Sequence, residues 1–240
     1  MLFRPRLWPT VFTVPAVLVM LALGFWQLDR LAWKSAIIDS FESRVTQPAV
    51  APPNVIDDIQ AWQFRRVEAT GRFLNDKEIH LTGRPFEGNA GFHVVTPFVV
   101  DGGPTVLVNR GWVPMDRRLQ AARPETLPDG KVTIDGIVRE ADRKGYFVPE
   151  NEPGREIWFT VEPAVMAAHR NLGPVANYYI DALRPTPRPT VLPIGAVAAI
   201  QVRNEHLQYA ITWFLLAATL LAVYVVWHRQ LERKEREDRT

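Results

Sequence analysis

The chain has no cysteine in 240 residues. That excludes disulfides, thiolate metal centres, copper thiolates and covalent c-type haem attachment. An excess of charge is also missing. The net charge is +2, too little to draw a polyanion, so no nucleic-acid partner is expected. Histidine is scarce, and His80 and His93 each stand alone in β-like runs without a second histidine at ligand spacing. Zinc is therefore unsupported, and both residues read as surface or satisfied polar groups. No phosphate-cradling glycine loop, nucleophile elbow or internal repeat is present, and the carboxylates are scattered rather than paired. No catalytic residue is assigned, and the chain is not expected to be an enzyme.

What the chain does have is two long apolar runs, Trp8 to Trp26 and Leu207 to Trp227, with no ionisable side chain in the middle of either. About 19–21 residues at 1.5 Å rise cover a hydrocarbon core of roughly 30 Å. Trp8 and Trp227 mark one boundary; Trp26, Tyr209 and Trp213 mark the other. This is the aromatic belt of two antiparallel spans in a lipid bilayer. Pro15 lies inside the first run and should kink it, while Ala218 and Ala222 offer the second a small-residue face for helix contact. A cleavable signal peptide ending at Ala22-Leu23-Gly24 is the competing reading of the first run. It would leave an odd, polar-aromatic new N-terminus.

Basic residues set the orientation. Arg229, Arg233, Lys234, Arg236 and Arg239 follow the second run, whereas only Arg203 lies close before it. Both termini are expected in the cytoplasm, with Arg4 and Arg6 in support and the main domain outside. Because the first span starts within about ten residues, an organellar presequence has no room, and a multi-pass bacterial inner-membrane protein is expected. Acidic residues alternate with the basic ones in the tail, so it reads as a solvated helix.

Between the runs the pattern changes. Ile37, Ile38, Phe41 and Val45 extend the first helix outward as an amphipathic stalk that Gln47–Asn54 ends. Short β-like runs follow at Phe64–Phe73, Glu78–Leu81, Gly91–Val100, Thr105–Val108 and Lys131–Val138, with turns at Asn75-Asp76 and Asp101-Gly102-Gly103. A helix is expected at Glu162–Arg170, a strand near Tyr178–Ile180, and a stiff connector at Arg184–Pro189. His169 ends that helix and His228 sits at a span boundary; ordinary structural roles are expected for both. The expected fold is two transmembrane α-helices flanking one mainly antiparallel-β periplasmic domain, a sheet or a barrel. The implied segments are an N-terminus 1–7, span 8–28, stalk 29–46, β-rich domain 47–190, connector 191–206, span 207–227 and tail 228–240. Within the domain, Val108–Pro114 and Asn151–Phe159 are candidate partner or ligand contacts, against a plainer reading of tight turns with solvated arginines.

One polar-aromatic cluster sits at the outer end of each run: Gly24–Arg30 on the first, Asn204–Trp213 on the second. His206, Tyr209 or Ala210, and Trp213 fall on one helical face. Trp26 and Gln27 lie within one turn of Arg30. An imidazole can ligate iron, aromatic rings can flank a porphyrin, and a guanidinium can fork onto a propionate. The same residues also serve as interfacial anchors, Arg30 by snorkelling to headgroups, and composition alone favours that reading.

Taken in order, GFWQLDR (24–30), VEATGRF (67–73), GFHVVTP (91–97), VNRGWVP (108–114), VTIDGIVR (132–139) and NEHLQYAITWF (204–214) resemble the surfeit locus protein one family. The likeness runs from one end of the chain to the other. It implies an assembly factor for haem-copper cytochrome c oxidase that carries haem a to the catalytic subunit. It also implies haem A synthase as donor and His206 as the iron ligand. Arg30, Trp26, Gln27, Tyr209 and Trp213 then complete the expected pocket. The other reading is a haem-independent membrane-anchored scaffold that stabilises oxidase assembly intermediates. An enzyme acting on haem or quinol is the least supported, since no acid–base pair is positioned for it.

Overall fold

The computed structural model describes residues 6–142, 145–184, 192–197 and 204–237, without the side chain of Arg236. The expected connector after Arg184 falls outside the described residues. The chain divides into two units, residues 1–40 with 201–240, and residues 41–200.

In the first unit, helix α1 (Leu7–Val45) continues without a break through Pro15, and helix α4 (His206–Glu237) runs to the tail. Both are long and apolar enough to cross a membrane, and only 11% of each apolar stretch is buried. Leu18, Val19 and Leu215 are each about 60% exposed. Such surfaces suit hydrocarbon rather than water, because lipid solvates leucine and valine and supplies no partner for backbone groups, which each helix satisfies internally. The pair makes the protein membrane-anchored. Its interhelical face differs from the expected one: Ala210 and Ala217 are buried, whereas Ala218 and Ala222 face outward. Small residues occur on two stripes of α4, and only the position of α1 selects between them.

The second unit is built on six strands: β1 (Arg66–Phe73), β2 (Ile79–Leu81), β3 (Gly91–Val100), β4 (Thr105–Pro114), β5 (Val132–Glu140) and β6 (Val175–Ala182). Their order is β1-β5-β6-β4-β3-β2, and β1 also pairs with β3. That last pairing, Gly71 to Val100 through Phe73 to Phe98, closes a five-stranded barrel with β2 attached at β3. All neighbours are antiparallel except β4 and β6. Closure removes the free edges that an open sheet would expose.

Periodicity explains the layers. β1 alternates buried and exposed residues, as a strand with one wet face must. β4 is buried almost throughout because it has a core on each side. Val106 and Val108 point into the barrel with Phe98, Tyr178 and Ile180. Leu107 points the other way, to Trp158, Met166 and Tyr179, under helix α3 (Pro163–His169). The end of α1 belongs to this unit as well: Phe41 and Val45 pack against Phe64, Ile137 and Leu183.

Several boundaries shift from the sequence expectation for local reasons. β1 begins at Arg66, not Phe64, because Phe64 takes φ +67° and turns the chain out of a short helix, α2 (Ile59–Trp62), capped by Asp58. Asn75-Asp76 lies in a 3-10 turn rather than a hairpin. β4 continues six residues past Val108, through a bulge opposite Val94-Val95. At that bulge Gly111 has φ +114°, and a Cβ there would lie 2.0 Å from the Ile194 carbonyl oxygen. Only glycine lets Trp112 and Ile194 exchange backbone hydrogen bonds of 2.9 and 2.8 Å.

Candidate functional site

The two long helices meet through a ladder of polar contacts. Near one end, Thr10 and Tyr224 share a hydroxyl hydrogen bond of 2.5 Å. Midway, Gly24 is buried where an added Cβ would sit 2.6 Å from the Phe214 ring, and Phe25 meets that ring edge-on at 5.4 Å. At the other end, His206 Nδ1 lies 2.7 Å from Gln27 Oε1. Beyond it, Asn204 Nδ2 donates to Ser35 Oγ at 3.3 Å, while Asn204 Oδ1 is buried without a partner among the described residues.

The Gln27 contact fixes the chemistry of the His206 ring. An amide oxygen only accepts, so Nδ1 is the donor in this contact and Nε2 is the nitrogen left for other partners. This is the arrangement of a metal-ligating histidine, whose far nitrogen is held by a hydrogen-bond acceptor. His228, at the opposite end of the pair, gives the control. It is 2% exposed; its Nε2 accepts the Arg6 backbone N–H at 3.1 Å and its Nδ1 donates to the Tyr224 carbonyl at 2.8 Å. With both nitrogens engaged, His228 is a helix clasp, in line with its expected structural role.

The remaining sequence-predicted residues are arranged around this contact to different degrees. Trp26 and Tyr209 are about half exposed, and Trp213 is part-buried. Ala210 rather than Tyr209 turns towards α1, so the α4 stripe is His206, Ala210 and Phe214. Arg30 stays exposed with its guanidinium 4.6 Å over the Trp33 ring on its own helix. The structure thus joins His206 to Gln27 directly. Arg30 is joined to Trp33, which the sequence reading did not single out, although an Arg and a Trp three apart on a helix are neighbours.

The barrel contains a buried polar network that sequence reasoning missed. Asn109 Nδ2 donates to Asp181 Oδ1 at 2.8 Å and lies 3.2 Å from His93 Nδ1. Arg139 donates to Asp181 Oδ2 at 3.1 Å, and Tyr179 donates its hydroxyl to Asp142 at 3.0 Å. Burial pushes the Asp181 carboxyl up, with Arg139 and Asn109 opposing. Burial also works against the Arg139 cation, but Asp181, Tyr179 and Asp142 outweigh it and leave its pKa raised. His93 drops to about 4, through burial and the nearby Arg84 charge, so it is neutral at pH 7. The Asp181 carboxylate directly after the apolar run Tyr178–Ile180 was the available signal: a charge in a strand that otherwise reads as core.

The two segments singled out in the domain are also structural in part. Asn151 binds its own loop, accepting from Phe159 and Thr160 N–H groups at 2.7 and 3.1 Å. Arg155 is solvated beside Glu152. Arg110, in contrast, is not a solvated arginine: it stacks at 4.7 Å over Phe73, and burial lowers its pKa to about 10. Among the described residues no group of histidines and carboxylates is placed to hold a metal ion.

A helix pair with an imidazole–amide contact, joined in sequence by a closed barrel, defines a membrane-anchored β-barrel protein. Comparison with known proteins narrows this class. The SURF1 family model matches residues 14–218, and the chain belongs to that family. It is 35% identical to a SURF1-like protein of Monosiga brevicollis, over 92% of this chain and 87% of the relative. It is 34% identical to surfeit locus protein 1 of Rattus norvegicus, over 88% and 72%. A SURF1-like protein of the bacterium Rickettsia bellii is 29% identical, over 93% and 92%.

Proposed function

We propose that this protein is an assembly factor for haem-copper cytochrome c oxidase, receiving haem a from haem A synthase and passing it to the catalytic subunit. The observation that carries the reading is the His206–Gln27 contact, which engages Nδ1 and turns Nε2 to other partners at a span boundary. His206 is the axial ligand, and Gln27 holds its tautomer. The half-exposed Trp26 and Tyr209 rings, with part-buried Trp213, offer faces to a flat macrocycle. Arg30 leaves Trp33 to fork onto a propionate, a modest exchange because cation–π contacts at exposed sites are worth only about 0.5–1 kcal/mol. A single protein ligand suits reversible carriage better than a closed two-histidine site. The protein acts without catalysis, in a bacterial inner membrane, with both termini cytoplasmic and the barrel periplasmic.

The test is the visible spectrum of protein purified after co-expression with the haem A synthesis enzymes. The wild-type chain should carry haem, and His206→Ala should lose the absorbance while the barrel melts normally. Gln27→Leu should weaken retention without abolishing it, since second-contact losses at metal sites typically cost about 10–100-fold. Equal haem in wild type and His206→Ala refutes the ligand assignment. Normal oxidase yield from a variant without haem would instead favour a haem-independent scaffold.

A further inference from the structure

The mouth of the barrel holds a concavity of about 480 Å³ that the proposed haem site does not use. That volume is within the roughly 300–1,000 Å³ typical of small-molecule sites, which favour barrel mouths. Its wall is mainly apolar: Phe73 at the end of β1, Ile134 on β5, Ala182 and Leu183 at the end of β6, and Leu192 and Pro193. Two arginines, Arg110 and Arg184, also line it.

Neither arginine has a carboxylate of its own among the described residues. Arg110 reaches only neutral oxygens, Asn75 Oδ1 at 3.4 Å and the Thr126 carbonyl at 2.5 Å. Arg184 has a buried Nη1 with no partner. The Glu78 charge acts on Arg110 from a distance and only partly offsets its burial. Glu78 binds both His80, at 3.0 Å, and the fully buried Arg123. Glu125, which also lines the concavity, pairs with Arg117 at 3.3 Å. Burying a charge without a counter-charge is costly. The burial that lowers the Arg110 pKa to about 10 has the same origin.

We infer that this barrel mouth is a binding site for a small amphipathic carboxylate, with an aryl or alkyl body against Phe73, Ile134 and Leu192 and its acid group between Arg110 and Arg184. A bare anion would leave the apolar wall wet. A neutral apolar molecule would leave the buried Arg184 Nη1 without a partner and Arg110 with only the distant Glu78 charge. A ligand with both parts satisfies each, and guanidinium groups suit a carboxylate because they bind it bidentately. The site is independent of the haem reading: it lies in the barrel unit, whereas His206 and Gln27 lie in the helix pair.

The test uses the full chain in zwitterionic lipid nanodiscs, with saturation-transfer NMR of 4-phenylbutyrate, its neutral counterpart 4-phenylbutanol, and inorganic phosphate as a competitor. The acid should bind at least tenfold more tightly than the alcohol, and phosphate should not displace it at equal concentration. Arg110→Gln with Arg184→Gln should abolish that preference, and the Lys versions should partly restore it. The single variant Arg184→Gln, which breaks none of the Glu78 ion pairs, should show at least a threefold loss if the double variant fails to fold. Equal binding of acid and alcohol overturns the site, as does a preference that survives the double variant. Displacement of the acid by phosphate at equal concentration would reduce the site to a bare-anion patch and overturn the amphipathic assignment.

Discussion

The helix pair and the barrel solve opposite packing problems with the same residue types. In the helix pair, most leucine and valine point outward, and the contacts between helices include a glycine, two alanines, the Phe25–Phe214 ring pair and a few polar groups. In the barrel, Val94, Val95, Phe98, Leu107 and Ile180 are completely buried, and most polar residues lie outside. Lipid tails are as apolar as leucine, so burying leucine between spans gains little, and close approach and hydrogen bonds decide the pairing. Water penalises exposed apolar surface by roughly 25 cal/mol per Å², so in the barrel that surface goes inside. Burial is therefore informative in the opposite sense in each unit. A buried polar contact is ordinary helix-pairing chemistry in the membrane and an expensive exception in the barrel.

That contrast can be broken most sharply at Arg123. It is fully buried and paired with Glu78, so Arg123→Leu leaves a buried carboxylate with His80 alone and should cost about 3–5 kcal/mol of barrel stability in a denaturant melt. Replacing both partners by apolar residues should recover most of the loss, because the pair's own desolvation cost disappears with it. A milder version is the pH response of His93. Its folded pKa of about 4 is below the unfolded value of 6.5, so the folded barrel resists protonation. The contribution is fully present above pH 6.5 and is lost as pH falls from there towards 4. The expected loss is on the order of 2–3 kcal/mol, and it should vanish in His93→Gln. A barrel whose His93→Gln variant keeps the same slope would place the titration elsewhere.

The helix pair should respond to changes of shape and less to charge. Gly24→Leu drives a side chain into the Phe214 ring and should weaken helix association by roughly 1–3 kcal/mol. Because the chain has no cysteine, single-cysteine crosslinking pairs can report that association without background. The smallest effect is expected for Thr10→Val, which removes the hydroxyl contact to Tyr224 and should cost about 0.6 kcal/mol. If Thr10→Val proved as damaging as Arg123→Leu, the two units would not differ as described.

Legibility followed the range of the interactions. Gly91–Val100 was readable as a strand to the residue, since a β-branched and aromatic run bounded by turn residues is a local signal. The six-residue extension of β4 was not, because it depends on Gly111 meeting Ile194, far away in sequence. The same holds for the parallel β4–β6 pairing and for closure through β1 and β3. At the candidate site, sequence marked His206 and Gln27 as boundary residues on separate helices. It could not specify that they touch, nor which ring nitrogen the contact would leave free.

Taken alone, the sequence determined the two apolar helices, the β-rich domain between them and the absence of thiol chemistry. Composition and short-range periodicity control those properties, and neither needs a partner from elsewhere in the chain. Tertiary structure decided which small residues of α4 face α1, that the sheet closes into a barrel, and that Asp181, Arg139, Asn109 and His93 form one buried network. These are pairings between residues distant in sequence, and a pairing becomes definite only when folding has fixed both members in space.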